Sequence, residues 1–274
     1  MKTYLMTLLM AALLCGVGCA PSGPSATPPS GTDDGRTVRE AATGISPTST
    51  PEVPGMVYGT STAQTVQPQP TIGTEELKEK TGLYEIMAKF PVLAGLADDA
   101  AQKTFNDRMR ADATTSVKAF KDYFEDVDRQ AYLKDFQSFY EMDFKTVASG
   151  RYLSVIMTGS EYSGGAHPAA IYRTYVFDLA DGKFLELEDM FAPGSDYLAE
   201  LSSSTLAEIA KLGIGDAAWN KNGTAPQAEN FQFFWLADDG LHILFPPYQV
   251  ASYAEGEHEV AIPYGLLPDI LSFK

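Results

Sequence analysis

The feature that most constrains this chain is a change of composition near residue 74. Residues 20 to 74 hold nine of the 17 prolines, many Ser, Thr and Gly, and no Leu, Phe or Trp. A segment of that kind cannot bury enough apolar surface to offset the entropy of ordering its backbone. It is expected to be a disordered, partly extended tether over residues 19–74. Both cysteines, Cys15 and Cys19, lie at or before its first residue. No disulfide or thiolate site is therefore available to residues 75–274, which must be held by an apolar core alone. A stretch of 200 residues buries roughly 70% of its unfolded surface on folding, enough for such a core.

Ahead of the tether, Tyr4 to Leu14 is an apolar run of 11 residues behind Lys2, shorter than the roughly 20 residues that span a bilayer. It reads as a secretory signal over residues 1–18. Gly16-Val17-Gly18-Cys19 resembles a bacterial lipobox, with Gly16 where leucine is usual and Cys19 as the lipid-bearing residue. The expected location is outside the cytoplasm, on a lipid anchor.

The body carries 17 Lys and Arg against 32 Asp and Glu. An acidic balance of this size excludes a nucleic-acid partner, whose phosphates need a basic face. It suits long-range attraction of a basic protein, and it equally serves solubility.

Hydrophobic periodicity predicts an α+β fold: a mostly antiparallel sheet packed against one long helix and one or two shorter ones. The N-terminal part runs over about 75–160 and the C-terminal part over about 161–274. Leu83–Leu93 reads as a first strand. Apolar residues every three or four positions from Ala101 to Val127 predict one long helix capped by Asp98 or Asp99. Alternation from Phe136 to Phe144 predicts a half-buried strand, and Tyr152–Thr158, apolar on both parities, a central one. Ala180-Asp181-Gly182 and Asp238-Asp239-Gly240 mark two hairpins. Ser195 is the expected cap of a helix ending near Leu212. Glu257–Pro263 reads as a last strand and Leu266–Leu271 as a closing helix.

Two loops are distinctive. Tyr162-Ser163-Gly164-Gly165-Ala166-His167-Pro168 joins two strands, with glycines free to take positive φ and a proline that fixes it. Pro246-Pro247-Tyr248 through Tyr253 to Glu255-Gly256 presents tyrosines on a proline-stiffened segment. These motifs, with Phe90–Leu96, Phe105-Asn106 and Val260–Pro263, resemble the RsiV/PdaC-type extracytoplasmic domain family over residues 80 to 270. One branch of that family is the outer part of a lysozyme-binding anti-sigma factor; another precedes a peptidoglycan deacetylase domain. Neither a sigma-binding segment nor a second catalytic domain is read here, so the resemblance implies only the ligand-facing domain.

The expected function is thus binding of a cell-wall-associated ligand, lysozyme or a related muramidase first and peptidoglycan second. Candidate contacts are Tyr162, Ser163, Gly164, Gly165, His167, Pro168, Pro247, Tyr248, Tyr253 and Glu255. A glycan-modifying enzyme using His167 and Glu161 is the competing class. Ser160 and Ser163 lack a G-x-S-x-G elbow, however, and His258-Glu259 does not continue into H-E-x-x-H. No catalytic residue, metal or cofactor is assigned.

Overall fold

The computed structural model describes residues 70–267 and 270–273. The signal segment, Cys19 and the tether up to residue 69 lie outside them. Strand β1 (Thr71–Lys80) pairs antiparallel with β2 (Tyr84–Ala94). Residues 71–74, read from the sequence as the end of the tether, are thus the start of a strand. Glu and Lys on β1 disguised it in a search for apolar alternation, because only one of its faces packs.

Helices α1 (Asp99–Asp122) and α2 (Val127–Leu133) then carry the chain across the sheet. Strand β3 (Ser138–Ser149) consequently lies parallel to β2, with Tyr84 opposite Ser138. Strands β4 (Tyr152–Tyr162), β5 (Ala169–Asp178) and β6 (Lys183–Leu185) continue antiparallel, in spatial order β1-β2-β3-β4-β5-β6. After α3 (Tyr197–Leu212) and α4 (Ala217–Gly223), a second antiparallel sheet follows: β7 (Phe234–Ala237), β8 (Gly240–Phe245) and β9 (His258–Pro263). The α+β class with a mostly antiparallel sheet is what the periodicity predicts.

Helix α1 forms where its stripe and its cap agree. Asp98 Oδ1 accepts from the amides of Ala100 and Ala101 at 2.8 and 3.0 Å, satisfying two of the orphan donors of the first turn. Phe105 and Met109 are fully buried against Ile86, Phe90 and Val155. The helix stops at Asp122, short of the expected Val127. Asp126 accepts from the amide of Arg129 at 2.9 Å and starts α2 instead. Phe124 keeps the apolar rhythm because its ring packs on Tyr84 and Phe120, 4.9 and 5.0 Å away.

Strand β4 is apolar on both parities for a structural reason. Leu153, Val155 and Met157 face α1, whereas Ile156 packs with Trp235 and Leu244 of the second sheet. Ser154, wholly buried, both donates to Leu236 O and accepts from Leu236 N, each at 3.1 Å.

Two helix expectations need correction. The cap position of α3 is Asp196, not Ser195, and its side chain makes no capping bond. The closing helix is replaced by a 3-10 turn at Tyr264–Leu266 and a bridge between Leu271 and Phe191. Residues 268 and 269 of that expected helix lie outside the described residues.

Candidate functional site

The two distinctive loops, some 80 residues apart in sequence, meet at one cleft of about 690 Å³. His167 and Pro168 line it from one side, Pro246, Pro247, Tyr248 and Tyr253 from another, and Phe233 and residues of β5 complete it.

The second loop is built around a strained turn. Gln249 N–H donates to Pro246 O at 3.1 Å, closing a four-residue turn with Pro247 and Tyr248 at its centre. Proline at the first central position and φ of 73° at Tyr248 define a type II turn. That second position normally takes glycine, and Tyr248 is the one non-glycine residue with positive φ among those described. Gln249 holds the turn down: its Nε2 donates to Gly223 O at 2.9 Å and Asn230 O at 2.8 Å. Val250 and Ala251 are buried immediately after. The loop is anchored on both sides of an exposed tyrosine.

The rings form a continuous run. His167 lies 4.7 Å from Tyr253, Tyr253 lies 5.2 Å from Tyr248, and Tyr248 lies 6.3 Å from Trp219 of α4. Interplanar angles are 30°, 31° and 23°. Tyr248 and Tyr253 are 59% and 42% exposed, and among the described residues neither hydroxyl makes a hydrogen bond within the protein. His167 Nδ1 lies 2.9 Å from Pro168 O, which places its proton on Nδ1 and leaves Nε2 an acceptor when the ring is neutral. No hydroxyl or thiol bonds to this ring among the described residues.

The remaining candidates brace the loops. Tyr162 Oη donates to Gly165 O at 2.9 Å. Gly164 (φ 91°) packs beside Leu133 and Tyr132 of α2, where a Cβ would come within 3.2 Å of Leu133. Gly165 takes φ of 113°, and Ser163 lies within the stretch that the Tyr162–Gly165 hydrogen bond closes. Glu255 accepts from Ser252 N and Oγ at 3.2 and 3.0 Å and from Gly215 N at 3.3 Å. The Ser252 hydroxyl, then these amides, hold its carboxyl below the usual range. Pro168 and Pro247 shape the cleft; Tyr162, Gly164, Gly165 and Glu255 shape the loops that bound it.

Several residues of the cleft and of the aromatic run beside it carry no sequence signal of their own. Tyr172 of β5 donates to Glu257 Oε2 at 3.2 Å; burial, then the Glu257 carboxylate, pushes its phenol up to about 12. Arg173 donates through Nη2 to Ser116 Oγ at 2.8 Å. Trp219 reads as an isolated tryptophan in a segment with no predicted helix. Glu161, proposed as a carboxylate for catalysis, is not among the lining residues. Burial raises its carboxyl, against the opposing pull of Arg173. Among the described residues no three His, Cys, Asp or Glu side chains are placed to hold a metal ion.

Comparison with known proteins agrees with this layout. Residues 77–170 match the family described as "Deacetylase PdaC", and residues 188–265 match "Protein of unknown function (DUF3298)". The cleft lies at the seam between them. The peptidoglycan-N-acetylmuramic acid deacetylase PdaC of Bacillus subtilis is 31% identical over 191 residues, 69% of this chain and 39% of that protein. An esterase of Mycobacterium tuberculosis is 25% identical over 118 residues, 43% of this chain and 51% of that protein. The chain thus spans 39% of one curated relative and about half of the other. Among solved structures, a DUF3298 family member from Bacteroides fragilis superposes with a TM-score of 0.57 at 18% identity, over 75% of this chain and 95% of that one. A DUF3298 family protein from Pseudomonas aeruginosa gives 0.51 at 19% identity, over 74% and 95%. These two show the fold alone. With its two matched segments in this order, the chain belongs to the PdaC-type family, a PdaC segment followed by a DUF3298 segment.

Proposed function

We propose that this chain is an exported envelope protein whose cleft binds a ligand of the cell wall, the glycan of peptidoglycan first. The observation that carries this reading is the run of rings from His167 to Trp219 with two unpaired tyrosine hydroxyls. Sugar rings are amphipathic: their C–H faces pack on aromatic surface while their hydroxyls exchange hydrogen bonds with phenols. The relationship to a peptidoglycan deacetylase supports the same ligand class. Cys19 is the proposed lipid-attachment residue, with residues 19–70 as the spacer that lets the domain reach the wall.

The test is co-sedimentation of the full chain with purified wall. Tyr253→Ala is expected to weaken retention about tenfold, the cost of removing one central aromatic anchor. Retention that is unchanged in Tyr253→Ala and Tyr248→Ala together refutes the glycan reading. In cell fractions, Cys19→Ser is expected to release the protein from the membrane; its remaining there refutes the anchor.

A second reading, capture of lysozyme or a related muramidase, is favoured by the charge of −16, which accelerates association with a basic protein. Calorimetric titration with a basic lysozyme at about 0.15 M salt separates the two readings, because screening over about 8 Å removes diffuse attraction and leaves a specific complex. No heat there refutes capture.

A further inference from the structure

Among the described residues, the outer edge of β5 is open for most of its length. Leu179 N–H donates to Arg151 O at 2.9 Å, which fixes the phase of the β4–β5 ladder. In an antiparallel pair, alternate residues turn both backbone groups toward the partner and the others turn them away. Odd-numbered residues of β5 therefore face β4, and even-numbered ones face outward. Val176 and Asp178 meet β6. Ala170, Tyr172 and Thr174 meet no strand on that side among the described residues, and no loop supplies a backbone hydrogen bond to them.

An open edge is a template for another chain, and proteins blunt such edges with charge. At the opposite edge of the same sheet, β1 does so: Glu75, Glu76, Lys78, Glu79 and Lys80 make up half of it. The open stretch of β5 has only Arg173. That stretch also runs along the cleft, because nine consecutive residues, His167 to Tyr175, line it. A strand seen from one face contributes every second residue; both parities together mean that its edge is presented.

We propose that this edge accepts an extended peptide from a partner protein as an added strand, with acidic side chains toward α1 and apolar ones toward Phe233, Tyr248 and Tyr253. Main-chain pairing supplies affinity in such additions, and alternate side chains supply selectivity. On the α1 side, the half-buried Arg173 guanidinium makes one hydrogen bond among the described residues, from Nη2 to the Ser116 hydroxyl. Nearby Asp112 is already engaged by Arg108 and the Tyr175 hydroxyl. Glu161 lies beyond ion-pair distance from it, among the described residues. A carboxylate from the incoming strand completes that guanidinium. On the other side, Tyr172, Phe233 and the exposed tyrosines offer apolar surface. This inference goes beyond the glycan reading and does not need it: sugars pack on rings, whereas a peptide pairs with backbone.

The experiment is fluorescence polarisation with the full chain at about 0.15 M salt, where the protein's general acidity is screened over about 8 Å. The probe is a dye-labelled, end-blocked peptide of about seven residues alternating valine and glutamate, long enough to span residues 169–175. It is expected to bind saturably and about tenfold more tightly than the same peptide with lysine for glutamate. N-methylation of alternate amides in the probe is expected to abolish binding. Ala170→Pro removes an outward N–H while leaving the bonds to β4 intact, a change edge strands tolerate, and is expected to weaken binding about tenfold. Arg173→Gln is expected to erase the preference for glutamate over lysine. Absence of saturable binding, or equal binding of the N-methylated probe, overturns the proposal even if Ala170→Pro fails to fold. Absence of wall retention in the unaltered chain, together with saturable peptide binding that N-methylation abolishes, would overturn the glycan reading and leave this one standing.

Discussion

Tyr248 pays a conformational penalty that its exposed ring does not recover inside the protein. A bulky residue with φ of 73° costs on the order of 1–3 kcal/mol relative to glycine in the same turn, partly offset by the greater freedom of glycine in the unfolded chain. Tyr248→Gly is therefore expected to stabilise the fold by about 1 kcal/mol while weakening ligand binding. Thermal unfolding and wall retention measured on the same variant check both halves; a destabilised Tyr248→Gly would mean that the ring is a packing residue. Sequence could list Tyr248 and Tyr253 as candidates, since their proline-stiffened setting is local. It could not list Tyr172, Arg173 or Trp219, because nothing in their neighbours distinguishes a strand edge or an exposed helix face. Glu255 illustrates the converse: a loop carboxylate that looks available is consumed by Ser252 and Gly215.

Among elements, the turn that carries Tyr248 is held by a single side chain reaching into the α4 region. Gln249→Ala removes two hydrogen bonds, to Gly223 O and Asn230 O, and leaves two carbonyls to find water. The expected cost is about 1–3 kcal/mol, with a further loss of binding because the aromatic run is no longer held in place. Chemical denaturation and wall retention measure the two effects; intact retention would show that the loop is positioned without Gln249. The strands and hairpins were legible because alternation and Asp-Gly turns are local signals. Helix ends were less so. The end of α1 depended on Asp126 competing as a cap, and β1 escaped notice because its half-buried face carries Glu75 and Glu79 beside Leu77, paired there with Arg110 and Lys121 of α1.

At the scale of the molecule, the two halves share one folded body: Ser154 of β4 bonds to Leu236 of β7, and Thr174 of β5 accepts from Phe234 N at 2.9 Å. Acid is expected to loosen this body. Asp178 is raised by its burial, but Arg151 and the amides of Asp181 and Ala180 outweigh that and hold it below its ordinary value. Asp143 and Asp239 are lowered, chiefly by Lys89 and by His242. A depressed carboxyl contributes stability that is complete above its unfolded pKa of about 4 and is lost as pH falls through the folded value. Glu161, raised by burial, acts in the opposite direction and offsets a small part. The unfolding midpoint is expected to be flat above about pH 5 and to fall steeply below about pH 4. A midpoint that holds at about pH 3 would show that these carboxylates are dispensable.

The sequence by itself determined which residues seek burial, where the chain turns and that the fold has no disulfide to rely on, because each follows from composition or from spacing along a few residues. Only the tertiary structure decided that His167 and Tyr253 stack and that, among the described residues, β5 runs with one edge open and Arg173 lacks a carboxylate. Those facts depend on which distant segments become neighbours, and proximity of that kind is set by the closing of the whole core.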